Sequence, residues 1–445
     1  MDFRHKTEFR QRRRRLMERM GEGSIAILSS GSVHTRNRDV EYPFRVDSDF
    51  YYLTGFSEPS AIAVLSPGRA KGEFLLFCRK RNPKEETWLG ERAGLEGARD
   101  TFGADDAYPI EDADRVLPDL MKKRNRVVYA MGRYPEFDEK ITDWMNVSRK
   151  KSRHLQPLPT EFVSFDYLVH NMRLFKSRHE IDLIRKASEI SIRAHRRAME
   201  VCRPGMMEYR IEAELNHEFL RSGSRSPAYP SIVAGGRNAC ILHYMANDSR
   251  IEDGELLLID AGAEYQNYAA DITRTFPANG RFTAAQRDIY QLVLEAQEAA
   301  IAQIRPGNHY NDPHKAVVRT ITKGLVTLGL LKGRVDRLIK NKKYRKFFMH
   351  RTGHWLGLDV HDVGNYKVDG KWRTLEPGMV FTVEPGIYIR GGNRKIPRKW
   401  WDIGVRIEDD VLVTKSGCEI LTRDAPRTID EIEALAGHRQ DADTP

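Results

Sequence analysis

The chain has 445 residues, 40% of them hydrophobic and 31% charged, with a formal net charge of +10. That length exceeds one ordinary compact core and that composition can fill two, which excludes both a single small domain and a disordered chain. No run reaches the ~18 consecutive apolar residues of a membrane helix, and the opening stretch MDFRHKTEFRQRRRR is charged where a signal peptide is apolar, so a soluble cytoplasmic protein with no membrane partner is expected.

In chain order, basic charge concentrates first at residues 10–15, and again at 340–346 and 394–399. None of these clusters is interleaved with aromatics as in a nucleic-acid module, so they are expected to be solvated faces, with no nucleic-acid partner. Short apolar runs at 25–28, 61–65 and 74–78, punctuated by turn signals such as Pro67-Gly68, predict a small α/β domain over residues 1–174. From Glu180 the apolar residues recur at helical spacing until Pro204-Gly205. Further helices are expected at 208–220, 284–304 and 314–328, with strands at 256–263, 268–276, 379–389 and 405–414. Helices and strands that do not strictly alternate predict an α+β domain over 175–445. The end, HRQDADTP, is expected to fray. The four cysteines, Cys78, Cys202, Cys240 and Cys418, have neither metal nor disulfide spacing and are expected as reduced thiols.

The segment LLLIDAGAEYQNYAADITRTF carries the first chemistry. Leu256, Leu258 and Asp260 share one strand face, and Asp271, Thr273 and Thr275 share another. A hairpin symmetric about the bond between Tyr265 and Gln266 sets Asp260 opposite Asp271. Carboxylates that close repel by about 4 kcal/mol at an effective dielectric of 20. A cation between them, solvation at a sheet edge, or a shared proton would each relieve the repulsion.

Downstream, HRTGHWLGLDVHDVG places His350, His354 and His361 in one glycine-punctuated segment, and imidazoles are ligands that transition metals accept. Glu384 in MVFTVEPGIYI and Glu408 in IGVRIEDDVLV lie among apolar strand residues, where an acid is costly unless paired or bound to metal. Taken singly, Glu408 can be explained by an ion pair with Arg406 on the same strand face. Taken together, the carboxylates and one imidazole suit a pair of divalent ions: Mn²⁺ first, with Co²⁺, Fe²⁺ or Zn²⁺ as alternatives.

These motifs, with DSDFYYLTGFSEP and ILHYMAND upstream, resemble the aminopeptidase P and prolidase branch of the pita-bread metallopeptidases, and aminopeptidase P most closely. The resemblance implies a pita-bread catalytic domain over 175–445 behind a smaller N-terminal domain of the creatinase and aminopeptidase P type. It also implies a proline-specific exopeptidase that uses a metal-bridging hydroxide on peptides with proline second. Carried over by residue, it makes Asp260, Asp271, His354, Glu384 and Glu408 the ligands of two metal ions, with Asp271 and Glu408 as bridges. Glu384 becomes a proton-handling group, His243 and His361 groups for binding or proton handling around the scissile bond, His350 and Arg406 a substrate-facing wall, and Tyr388 an outer neighbour. It further implies a homo-oligomer, a dimer or tetramer. A dipeptide-restricted prolidase, a methionine aminopeptidase lacking so large an N-terminal domain, and a catalytically silent pita-bread binding protein are the rival readings.

Overall fold

The runs IAIL, IAVL and FLLFC lie side by side in a six-stranded sheet of the N-terminal unit of a computed structural model, which describes residues 4–151 and 158–437. The stretch HRQDADTP lies outside the described residues. The sheet order is Asp106–Pro109, Phe74–Cys78, Ile62–Leu65, Ser24–Ser29, Arg126–Tyr129 and Glu161–Ser164, with mixed parallel and antiparallel pairing. Its central strands are unbroken apolar runs because they are buried on both faces. Ile27, Val64, Leu75 and Phe77 pack with Leu117 and Trp144 into one core.

One expectation fails here. The cluster at 10–15 lies on helix Arg4–Met20, yet Arg12 and Arg13 are buried. Their guanidinium groups donate to the carbonyls of Tyr52 (3.1 Å) and Leu53 (2.8 Å), in the last turn of helix Ser48–Thr54. Carbonyls there have no intrahelical partner and carry the negative end of the helix dipole, so they attract cations. The Tyr52 and Phe74 rings supply faces for the two guanidinium planes.

The division between compact units falls between Met172 and Arg173. In the second unit, a capping box of Ser177 and Glu180 starts helix Arg178–Val201. Helices Glu208–Arg221, Ala284–Ile301 and Asp312–Thr327 follow. Their apolar faces share a core with three antiparallel sheets. One joins Ile232–Gly235, Leu256–Asp260 and Thr273–Pro277; a second joins Val380–Val383, Asp409–Val413 and Cys418–Ile420; a third pairs Gly386–Ile389 with Ile403–Arg406. Phe276, Val293, Phe381, Val405 and Val411 bind these layers, each contributing about 1.5–3 kcal/mol by leaving water.

The expected continuous strands at 379–389 and 405–414 are each two strands. Both break at facing positions, Glu384-Pro385 and Ile407-Glu408, where the Ile407 N–H reaches the Pro385 carbonyl at 3.3 Å. Pro385 has no N–H to extend the ladder. The chain therefore passes from one sheet to another at the two glutamates.

Candidate metal and catalytic site

The hairpin differs from its expected register. Glu264 pairs with Ala269, Tyr265 with Tyr268, and Asp260 with Thr273 rather than Asp271. The turn centres on Gln266-Asn267, both at positive φ (49° and 68°), as a two-residue type I′ turn requires. The centre lies one residue beyond the expected one, so the opposing partner moves by two. Asp271 nonetheless reaches Asp260, because the phenol oxygen of Tyr229 sits 2.7 Å from Asp260 Oδ1 and 2.5 Å from Asp271 Oδ1.

The glycine-rich segment lies along strand Val380–Val383. The Thr382 N–H donates to the His354 carbonyl and the Glu384 N–H to the Thr352 carbonyl. A Cβ at Gly353 would overlap the Thr382 carbonyl, so only glycine permits this approach. His354 Nε2 thus comes to 3.4 Å from Asp271 Oδ2 and 3.9 Å from Glu384 Oε1. Glu408 is tied to the first sheet: its N–H donates to the Thr273 carbonyl at 3.0 Å, and Thr273 Oγ1 donates to Glu408 Oε2 at 2.6 Å. Donor atoms of Asp271, His354 and Glu408 lie within 4.8 Å of one another.

The sequence also allowed Arg406 as partner of Glu408, but the structure pairs it elsewhere. Buried Arg406 donates to Asp260 Oδ2 at 2.6 Å, to Thr273 Oγ1 at 3.1 Å and to the Tyr388 hydroxyl at 3.1 Å. Tyr388 in turn lies 2.9 Å from His350 Nε2, while His350 Nδ1 faces the Arg351 carbonyl at 2.7 Å. A carbonyl only accepts, so Nδ1 carries the proton and Nε2 accepts from the phenol. Burial, then Arg406, push His350 down to about 3, leaving it neutral.

Nine of the ten residues singled out from the sequence line one cavity of about 760 Å³; Tyr388 is buried behind it. His361 stands edge-on to His354, ring centres 4.3 Å apart, and is exposed, as is His243. The loop carrying His361 is pinned by the next residue, Asp362, whose carboxylate is buried against Arg173 (2.5 Å) and Lys176 (2.9 Å). The loop carrying His243 is pinned by Glu208. That fully buried carboxylate accepts from the Gly235 and Ser249 N–H groups, the Asn238 amide and the Tyr244 hydroxyl, at 2.7–3.1 Å.

The electrostatics call for positive charge. Burial pushes Glu384 up to about 7 against the pull of His354 and Arg406. Burial, then Asp271 and Glu384, drive Glu408 well above the carboxylate range, and Asp410 is raised by burial and Asp271. Burial works against the imidazolium of His354, yet Asp271 and Glu384 push it up to about 9. Tyr229 has one hydrogen for two short carboxylate contacts. These contacts therefore require a second proton or a cation nearby. His354 Nδ1 faces the Trp355 carbonyl at 3.1 Å, which directs the lone pair of the neutral ring through Nε2 toward the acids. Asp410 Oδ1 is buried with no hydrogen-bond partner among the described residues, although Oδ2 accepts the Asp271 N–H. An oxygen-rich donor set with one imidazole and too many buried carboxylates fits divalent cations.

Several site residues escaped sequence reasoning. Tyr229, Thr273 and Asp410 act through contacts that no spacing announces. Arg274, fully buried, donates to Asp409 at 2.7 Å and to the Glu408 carbonyl at 2.6 Å, fixing the acidic strand from behind. The one signal available was the string EDD after a buried strand, three acids that needed partners.

A sequence profile of metallopeptidase family M24 matches residues 182–415, and the N-terminal domain of aminopeptidase P matches 9–129. The Xaa-Pro aminopeptidase of Escherichia coli is 47% identical over 429 residues, covering 96% of this chain and 97% of the relative. The structure of a Pseudomonas aeruginosa aminopeptidase superposes with a TM-score of 0.97 at 58% identity, covering 98% of this chain and 99% of the other. Zinc-substituted E. coli aminopeptidase P in complex with product superposes with a TM-score of 0.94 at 46% identity, covering 97% and 98%.

Proposed function

The chain belongs to metallopeptidase family M24 and carries an aminopeptidase P N-terminal domain, and from that premise we propose that it is a metal-dependent hydrolase releasing the first residue from peptides with proline second. The observation that carries this reading is the convergence of Asp260, Asp271, His354, Glu384 and Glu408 on one cavity. Asp260 would chelate one ion, His354 and Glu384 would hold the other, and Asp271 and Glu408 would bridge. Two divalent ions there supply Lewis acidity and make water a nucleophile at neutral pH; Mn²⁺ is the choice that best suits this oxygen-rich set.

The protein's own groups do the rest. Glu384, whose carboxylate lines the cavity beside His354, takes a proton from water at the site and returns it to the departing proline nitrogen. That nitrogen leaves as a secondary amine and needs the proton. His243 and His361, exposed on the cavity, hydrogen-bond the carbonyl oxygen as charge develops on it. The Arg406–Tyr388–His350 chain keeps neutral His350 oriented toward substrate. A homo-oligomer working in the cytoplasm completes the proposal.

The test is kcat/KM for Xaa-Pro, Xaa-Pro-Xaa and Xaa-Ala-Xaa peptides side by side after Mn²⁺ reconstitution, with metal content measured on the same sample. Two ions per chain and cleavage of the longer proline peptides are expected. Activity confined to Xaa-Pro dipeptides makes the protein a prolidase. Equal activity on the alanine series removes proline specificity.

A further inference from the structure

The cavity has a cationic rim that the proposed chemistry does not use. Arg351 follows His350 directly, and its guanidinium lies 4.8 Å from the centre of the Trp372 ring. Lys367 Nζ lies 4.7 Å from the same ring. Trp372 is half-buried and both cations are exposed, and all three line the cavity. The arrangement is built rather than accidental. Lys367–Val368 and Lys371–Trp372 form a hairpin that sets Lys367 directly across from Trp372, over an Asp369-Gly370 turn with both φ values positive, the type I′ geometry. Arg351 is held in turn by donation to Asn311 Oδ1 at 2.7 Å. Neither cation has a carboxylate at ion-pair distance among the described residues.

Resting on the aminopeptidase reading above, we propose that Arg351 and Lys367, fixed on Trp372, form a subsite for a substrate carboxylate beyond the proline. An aminopeptidase takes a free N-terminus, so its substrate can lengthen only in the C-terminal direction. The third residue, ~3.3–3.6 Å further along an extended chain, then needs partners elsewhere in the cavity that Arg351 and Lys367 also line. Stacking on the indole holds both cations with little rotamer freedom to lose, and the free N–H groups of the guanidinium fork match a carboxylate. The ligand is either the terminal carboxylate of a tripeptide or an acidic side chain at the third position.

The test compares Ala-Pro-Gly with Ala-Pro-Gly-amide, and Ala-Pro-Glu-amide with Ala-Pro-Gln-amide, on wild type and on an Arg351→Gln, Lys367→Gln double variant. Both replacements keep an uncharged stem to cover Trp372. In wild type, KM is expected to be about fivefold lower for the carboxylate member of at least one pair. The pair that responds identifies the source. The ratio should fall with added salt and approach one in the double variant. Equal KM values within both pairs, or a preference that survives in the double variant, overturn the subsite while leaving the aminopeptidase reading intact. Failure to cleave any of the four peptides overturns both.

Discussion

Chelating the ions and raising the pH from 6 to 9 is expected to destabilise the protein, because the site's own charges then face one another without a cation. His354 is raised to about 9, so its contribution is fully present below the ordinary 6.5 and is lost as pH rises through 9. That gap corresponds to about 3 kcal/mol. Glu384 is raised to about 7: folded, it keeps a proton that the unfolded chain has released, so stability also falls as pH climbs from 4.5 through 7. The two groups lie 3.9 Å apart and titrate together. Their effects share a sign but do not add, and about 3 kcal/mol is the expected contribution of the pair; His350, held down at about 3, works the other way, gaining stability as pH rises through 6.5 in chelated and ion-loaded protein alike. For a unit of this size, at about 2 °C per kcal/mol, the chelated protein should lose roughly 6 °C of Tm relative to the ion-loaded protein, whose ions require deprotonated ligands and bind better as pH rises. Thermal unfolding followed by circular dichroism at pH 6, 7.5 and 9, in chelator and in Mn²⁺, measures the difference. A Tm gap between ion-loaded and chelated protein that fails to widen from pH 6 to 9 would refute the electrostatic account.

Asp271→Asn keeps the side-chain volume but removes the bridging charge; kcat/KM is expected to drop by at least about 100-fold with the circular dichroism spectrum unchanged, and near-normal turnover would reduce the aspartates to strand polarity. His354→Ala should lose metal in elemental analysis, whereas His361→Ala should keep it and lose turnover; the opposite pattern would exchange their roles. Glu208→Gln turns an amide toward groups that all donate, so urea denaturation should show a loss of about 1–3 kcal/mol. Unchanged stability would mean that the Glu208 carboxylate does not clamp the loop carrying His243.

The candidate acids were visible in the sequence because acids among apolar strand residues need a reason, and Asp260, Glu384 and Glu408 stand at the ends of buried strands and line one cavity. The helices were visible from their period, to within a turn at each end. The hairpin register was not, because it depends on which two residues accept positive φ, and YQNY offers two adjacent bonds for the centre. The burial of Arg12 and Arg13 was hidden for a different reason: a run of arginines does not reveal which helix end will lie against it.

The strand breaks at Glu384-Pro385 and Ile407-Glu408 connect these successes and failures. Locally, 379–389 and 405–414 are apolar enough to run as single strands, and each contains residues that a central strand does not favour: a glutamate and a proline in one, a glutamate followed by two aspartates in the other. In the structure both exceptions fall at the switch between the second and third sheets. By ending one sheet and starting the next there, the fold places two carboxylates across from the hairpin acids, with the Ile407 N–H to Pro385 carbonyl bond keeping the breaks in register. At these two breaks, local preference and observed structure disagree where the chain supplies Glu384 and Glu408 to the cavity.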